Sequence, residues 1–208
     1  MYPPPAFRED DLGTIHAFIE RHPFGVLTTA PGGVPFATHL AFGLAREGGE
    51  RGMLVAHMAR ANSQWRHFEE GAEALVVFTG PHDYVSPTWY ADRANVPTWN
   101  YTAVHAYGRG RIVDEPSRVR EEMASLARTF EGDAPGAWSL EDLPESALDA
   151  LTKAIVVFEI PIERLEAKFK LSQNRSVEDM ERVARALRDA PRPNEALAEW
   201  MDRYRARR

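Results

Sequence analysis

The chain has 208 residues, with 25 Lys and Arg against 31 Asp and Glu, a formal net charge of −6 and 44% hydrophobic residues. Such a composition folds around a core, and at this length roughly 70% of the unfolded surface is buried on folding. The absence of cysteine excludes disulfides, thiolate zinc sites, iron–sulfur clusters and cysteine nucleophiles, and a net acidic chain is a poor general binder of nucleic acid.

The opening Met1-Tyr2-Pro3-Pro4-Pro5-Ala6-Phe7 has neither the basic start nor the apolar stretch of a signal peptide, and no apolar run approaches the ~18 residues of a membrane span. The expectation is a cytoplasmic protein with no membrane partner. Gly25 to Thr29 is β-rich and ends at the turn cluster Pro31-Gly32-Gly33, after which Val34 to Leu44 resumes extended character, a first hairpin. Gly52 to Met58 is a third strand. It delivers the chain to a helix start that Asn62 or Ser63 can cap. Ala74 to Phe78 is a buried strand broken by Gly80-Pro81, and an aromatic loop runs from Tyr84 to Tyr90. Thr98 to Val113 is long and β-rich, with Gly108 and Gly110 suggesting a bend.

From Asp114 the period changes to that of a helix, with Val119, Met123, Leu126 and Phe130 on one face and Asp114 or Ser117 as the cap. A shorter helix follows Pro144. Ala154 to Ile160 is a late strand that must rejoin the sheet, since alone it would expose its edges and apolar side chains. Two helices close the chain, one capped at Ser176, the other starting at Asn194 and burying Leu197, Trp200, Met201 and Tyr204. Strands first and helices later predict an α+β fold, and strands of this length imply a barrel or a strongly curled sheet.

Four clusters exceed what a core or a solvated face requires. In His57-Met58-Ala59-Arg60-Ala61-Asn62-Ser63-Gln64-Trp65, a strand end, an arginine and side-chain donors suit a phosphate, while spacing alone favours an ordinary cap beside a surface arginine. The segments Pro81 to Tyr90, with Trp89, and Val96 to Tyr101, with Trp99, Asn100 and Tyr101, interleave aromatics with amides and hydroxyls. That pattern serves a planar heterocycle or a dimer interface. In Lys168 to Arg175, Lys170, Ser172, Gln173 and Asn174 can reach a phosphate or ring carbonyls, or can form a solvated connection. The seven histidines show neither HxxxH nor HExxH spacing, so no metal is expected, and no Walker loop, dinucleotide fingerprint or GxSxG elbow occurs.

Through His57-Met58-Ala59-Arg60-Ala61-Asn62-x-x-Trp65, Gly80-Pro81-His82-x-Tyr84-x-Ser86-Pro87-x-Trp89-Tyr90, Val96-Pro97-Thr98-Trp99-Asn100-Tyr101 and Lys170-Leu171-Ser172-Gln173-Asn174-Arg175, the chain resembles the PaiB family of FMN-binding negative transcriptional regulators. The likeness runs from Met1 to about Arg175. It implies a split β-barrel of the pyridoxamine phosphate oxidase-like kind over residues 1–175, a helical appendage at 176–208, and a homodimer with FMN in clefts between subunits. It also implies a phosphate at Arg60, Asn62 and Ser63, and a ring near the aromatic loops. The implied FMN residues are His57, Arg60, Asn62, Ser63, Trp89, Trp99, Asn100, Tyr101, Lys170, Gln173 and Asn174. Ser63 departs from the family's usual Pro and Ala56 from its Gly, and Ala37-Thr38-His39-Leu40 holds no counterpart of the oxidases' phosphate-gripping Arg/Lys pair.

Three function classes follow. The first is a flavoprotein, with His57, His82, His105 and Tyr101 as candidate proton donors in a flavin-dependent oxidoreductase. The second is a non-enzymatic regulator acting through protein contacts or through DNA contacts by Arg203, Arg205, Arg207 and Arg208, which serve equally to complement their own helix dipole. The third is a haem-binding split barrel.

Overall fold

The computed structural model describes residues 1–132 and 134–207. In chain order the elements are β1 (Arg8–Glu9), α1 (Leu12–Arg21), β2 (Phe24–Thr29), β3 (Phe36–Ala41), β4 (Gly43–Ala45), β5 (Met53–Ala59), α2 (Arg66–Glu69), β6 (Glu73–Val85), β7 (Thr98–Arg109) and β8 (Arg111–Val113). Then come α3 (Pro116–Glu131), α4 (Glu145–Ala154), β9 (Ile155–Pro161), β10 (Arg164–Lys170), α5 (Val177–Asp189) and α6 (Glu195–Arg205). The turn between β2 and β3 rests on Gly32 and Gly33, whose φ values of 64° and 84° a β-carbon would disfavour.

The chain falls into two compact units, one of Met1–Ile15, Thr79–Val104 and Glu166–Arg208, the other of His16–Phe78 and His105–Leu165. In the second unit β4-β5-β9-β8 form a four-stranded sheet, and β2 lies between β3 and β6. The β5–β9 pair is antiparallel from Met53↔Pro161 to Ala59↔Ile155. Four phenylalanines from separate segments form the centre of this unit's core: Phe42 meets Phe78 at 5.6 Å and Phe158 at 6.5 Å, and Phe68 meets Phe158 at 5.0 Å between centroids. All four are buried, and each such side chain stabilises the fold by about 1.5–3 kcal/mol. Helix α3 lays Val119 and Met123 over Val55, Val113 and Val157.

In the first unit the strands run β1-β10-β7-β6. Phe169 of β10 meets Trp200 and Tyr204 of α6 at 5.0 and 5.9 Å. Helix α5 buries Met180, Val183, Ala184 and Leu187 at helical spacing. The Ser176 hydroxyl accepts from the Asp179 amide and the Asn194 side chain from the Leu197 amide, so both expected caps form.

Glu9 is buried beneath this unit's last helix, accepting from the Asp11 amide, the Tyr204 hydroxyl and the Arg207 guanidinium. Burial alone would raise its pKa, but those donors and the Arg207 charge hold it below the usual carboxylate value. A carboxylate depressed in the folded state contributes stability above about pH 4.5 and loses it as pH falls through the folded value. The urea midpoint of the wild type should therefore drop on acidification from pH 6 to pH 3.5. A Glu9→Gln variant should start lower at pH 7 and lose less over that range, and parallel curves for the two proteins would refute the assignment.

Several elements depart from the sequence reading. Gly80-Pro81 does not break the strand: β6 continues to Val85, and its inward side passes from even residues to odd ones between Gly80 and Val85. That slip accommodates a residue with no N–H to give the ladder, while the Thr102 hydroxyl donates to the Pro81 carbonyl. The extended stretch from Val34 splits around the buried Phe42, β3 and β4 joining different sheets. The cap of α3 is Glu115 rather than Asp114 or Ser117: its carboxylate accepts from the Ser117 and Arg118 amides and Pro116 opens the helix. Helix α1 and strand β10 lay outside the sequence reading, which gave Lys168 to Arg175 either as a ligand-contacting cluster or as a solvated connection.

Candidate functional site

Strand β5 ends at Ala59, and Arg60 grips three successive residues around the α4–β9 junction. Its amide donates to the Ala154 carbonyl at 2.8 Å, its Nε to that of Lys153 at 2.8 Å and its Nη2 to that of Ile155 at 2.7 Å. Two of the three guanidinium nitrogens are thereby anchored on backbone. The Trp65 indole donates to the Arg60 carbonyl at 3.0 Å. Asn62 accepts from the Gln64 amide at 3.0 Å and donates to the Thr38 hydroxyl of β3 at 2.9 Å. Of the two capping candidates it is Asn62 that caps, and Ser63 is the exposed first residue of the following turn.

That turn is 3₁₀ over Ser63–Trp65, followed by the single helical turn of α2. So short a helix has little dipole, and the charge offered here comes from Arg60. The fully buried Gln64 ties the turn to the hairpin, its Nε2 donating to the Leu27 carbonyl, the Thr29 hydroxyl and the Phe36 carbonyl at 3.1–3.2 Å. His57 sits half-buried on β5 opposite Val157. Burial lowers its pKa, so the imidazole is neutral at pH 7 and offers hydrogen bonding instead of charge.

Arg60 borders two cavities of this unit. The larger, about 550 Å³, has Trp65, Phe68, Ile112 and Val156 as its apolar wall, with Arg111, Glu69 and Asp114 at the polar part. The smaller, about 260 Å³, lies between β8, β9 and the helices α3 and α4. The larger is in the 300–1,000 Å³ range of small-molecule sites. An apolar and aromatic wall with a fixed guanidinium beside it fits a molecule with a planar apolar body and an anionic end.

In the first unit, Lys170 at the end of β10 donates to the Thr98 hydroxyl and the Trp99 carbonyl. Burial, then the charges of Lys168 and Arg175, hold its pKa below that of a free lysine. Asn100 and Ser172 are both buried and share hydrogen bonds at 2.9 and 3.3 Å. Ser172 has φ 66°, a left-handed conformation that costs a non-glycine residue on the order of 1–2 kcal/mol. Gln173 turns back on its own segment, accepting from the Leu171 amide at 2.7 Å and donating to the Phe169 carbonyl.

Neighbouring candidates on β7 diverge. Asn100 is on the buried face, while Trp99, 54% exposed, and the half-buried Tyr101 occupy the opposite face. The Lys168 ammonium lies 5.4 Å from the Tyr101 ring. Trp89 closes a short 3₁₀ turn capped by Ser86, and its carbonyl accepts from Arg182. Asn174 is exposed and borders a cavity with Lys170 and Asn100. His82 approaches Trp99 at 6.5 Å and His105 approaches Tyr107 at 6.3 Å. The C-terminal arginines are engaged within the chain, Arg203 over the Trp200 ring, Arg205 on Asp202 and Arg207 on Glu9. Arg208 lies outside the described residues. Gln64, Thr38 and Arg175 were absent from the predicted set, and only their proximity to Asn62 and Lys170 in sequence or sheet pairing marks them.

A family model described as "Putative FMN-binding domain" matches residues 1–164. The chain belongs to this family. Within it, the chain is similar to the "Protease synthase and sporulation protein PAI 2" of Bacillus subtilis (strain 168), 38% identical over 205 residues and covering 97% of each chain, which makes it a PaiB family member. Among solved structures it is similar to the flavocytochrome Anf3 from Azotobacter vinelandii, with TM-score 0.62 and 21% identity over 78% of this chain and 69% of that one. It is also similar to the FAD and heme binding protein from Mycobacterium smegmatis, with TM-score 0.60 and 17% identity over 83% of this chain and 78% of that one. At these identities the likeness is one of fold. The PaiB family chain has an α+β, split-barrel fold. No described helix is long and apolar enough to cross a membrane.

Proposed function

We propose that the protein binds FMN, with the phosphate held at the turn after β5 by Arg60 and Asn62, and that it works as a homodimer. The observation that carries this reading is the Arg60 clamp: backbone carbonyls at 2.7 and 2.8 Å fix the guanidinium beside a 550 Å³ cavity walled by Trp65 and Phe68. A pre-positioned cation loses little side-chain entropy on meeting an anion. The second copy is supported by β3, which ends its sheet, and by two exposed rings on this hairpin, Phe36 opposite Thr29 at 41% exposure and Phe24 opposite Ala41 at 65%. A bound flavin supplies hydride or electron transfer. The protein's part is to seat the phosphate on Arg60, to shield the ring from water on Trp65 and Phe68, and to keep His57 neutral.

A regulatory role would then follow flavin occupancy rather than DNA contact, because Arg203, Arg205 and Arg207 all have partners inside the chain. Fluorescence titration of FMN should show saturable binding of one flavin per subunit. Arg60→Ala should weaken it by about tenfold or more, which is ~1.4 kcal/mol. Asn62→Ala should weaken it less and lower the melting temperature as well, since it removes a cap worth about 1 kcal/mol. No binding at micromolar FMN would overturn the reading, and a Soret band on adding haem would replace it with the haem-binding one.

A further inference from the structure

Helix α4 is attached to the second unit by polar ties rather than by burial. None of its ten residues is buried, whereas α3 buries Leu126 and α5 buries four apolar residues. Ala147, Leu148 and Thr152 are only half-buried, and Leu151 is exposed. Toward its N-terminal end the helix is tied to α3 by Arg120, which meets Glu145 and Asp149 at 2.6 Å each. The three side chains are 38–70% exposed, and ion pairs so open to water each contribute little.

The other tie is Arg60. Helix α4 ends at Ala154 and β9 starts at Ile155 with no residue between them, and the last carbonyls of a helix have no partner inside it. Arg60 supplies their donors: its amide bonds the Ala154 carbonyl, its Nε that of Lys153 and its Nη2 that of Ile155. It therefore caps the C-terminus of α4, where a positive charge also complements the helix dipole, and it pins the hinge between helix and strand. Beneath α4 is the cavity of about 260 Å³, with Asp149, Thr152 and Lys153 contributed by the helix and Val113, Val119 and Val157 by the elements below it. A helix with no buried side chain, exposed ion pairs and one hinge belongs to the least stable part of a fold. It is the wall of this cavity that opens first.

We propose that α4 is a lid over this cavity and that Arg60 couples its closure to occupancy of the flavin phosphate site; the coupling rests on the flavin reading, and the lid does not. A guanidinium has five N–H donors, and the two carbonyls take two of them, so one arginine can hold the helix and meet a phosphate together. A phosphate on Arg60 restricts the side chain in the conformation that caps α4, which leaves less freedom to be lost when the lid closes. The coupling is positive. By linkage, a closed lid strengthens flavin binding by the same factor with which flavin favours closure. The flavin-loaded protein is then the state in which the aliphatic floor of the cavity is shut off from water.

Hydrogen exchange of the full chain, followed by mass spectrometry, reads the lid. In the flavin-free protein the α4 amides should exchange about tenfold or more faster than those of β9, and saturating FMN should slow them by about fivefold. Arg120→Gln touches neither the Arg60 turn nor the larger cavity. It should speed α4 exchange in the free protein and raise the Kd for FMN by about fivefold, the lower end of typical couplings. Asp149→Asn cuts the same pair from the other side and should act alike, with melting curves establishing that both variants are folded. Exchange at α4 as slow as at β9 in the free protein would overturn the lid. FMN bound with α4 exchange unchanged or faster, or both variants binding FMN as the wild type does, would overturn the coupling and leave the flavin reading intact. No FMN binding by the wild type would defeat the flavin reading and the coupling together, and fast exchange at α4 would then support the lid alone.

Discussion

Alanine in place of Gly108 is expected to destabilise the protein by on the order of 3 kcal/mol or more, the upper end of what overpacking costs. A β-carbon at this position of β7 would sit 2.1 Å from the Pro161 carbonyl oxygen and 2.9 Å from the Ile160 Cγ2. The obstacle is backbone, and it is pinned: the Glu163 amide donates to the Tyr107 carbonyl at 2.9 Å and the Ile162 amide to the Gly52 carbonyl at 3.0 Å. Neither side can retreat without breaking a hydrogen bond. Gly110 makes the comparison informative, because there the atoms nearest the β-carbon would be those of the Phe68 ring, at 2.4 Å. A ring can tilt where a carbonyl cannot, so Gly110→Ala should cost less, about 1–3 kcal/mol. Urea unfolding of both variants checks the order, and a Gly108→Ala protein within error of the wild type would show that the approach of β7 to β9 is looser than described.

Gln64→Leu is expected to cost about 2–4 kcal/mol, because it strips the shared amide donor from two backbone carbonyls, and each buried group left unsatisfied costs about 1–3 kcal/mol. Leucine keeps the volume, so the loss reports hydrogen bonding instead of a cavity. The Leu27 and Phe36 carbonyls and the Thr29 hydroxyl belong to β2 and β3, and the Thr29 hydroxyl is also bonded to His67 Nδ1 at 2.8 Å. The variant should therefore loosen the β2–β3 hairpin first. Hydrogen exchange should rise at β3 amides, and FMN affinity should fall through the Asn62–Thr38 contact even though Arg60 is untouched. Unchanged stability, or exchange rising equally throughout the second unit, would refute this role for the buried amide.

These two positions also mark where the sequence was readable and where it was not. The helices α5 and α6 were legible with their caps, since Ser176 and Asn194 act on amides three residues away. The apolar face of α3 followed from spacing as far as Leu126, whereas Phe130 is 48% exposed, and the capping side chain moved to Glu115, because nearby polar residues offer similar local chemistry. Strand β10 was missed: Arg164-Leu165-Glu166-Ala167-Lys168-Phe169-Lys170 is short and its outward positions are charged. Without neighbours such a segment has the composition of a loop, and only pairing within the sheet makes it a strand.

The sequence by itself determined the α+β class, the family and the two local clusters that carry cations, because motifs, caps and periodicities are properties of nearby residues. The tertiary structure alone decided what each cation does. Arg60 was singled out by its surroundings in sequence, but its hold on carbonyls 93 and 95 residues away has no local trace. Lys170 meets the Thr98 hydroxyl and the Trp99 carbonyl, 72 and 71 residues away, only because β10 pairs beside β7 in the sheet. Contacts at such separations depend on the whole chain's packing, and no short stretch of residues encodes them.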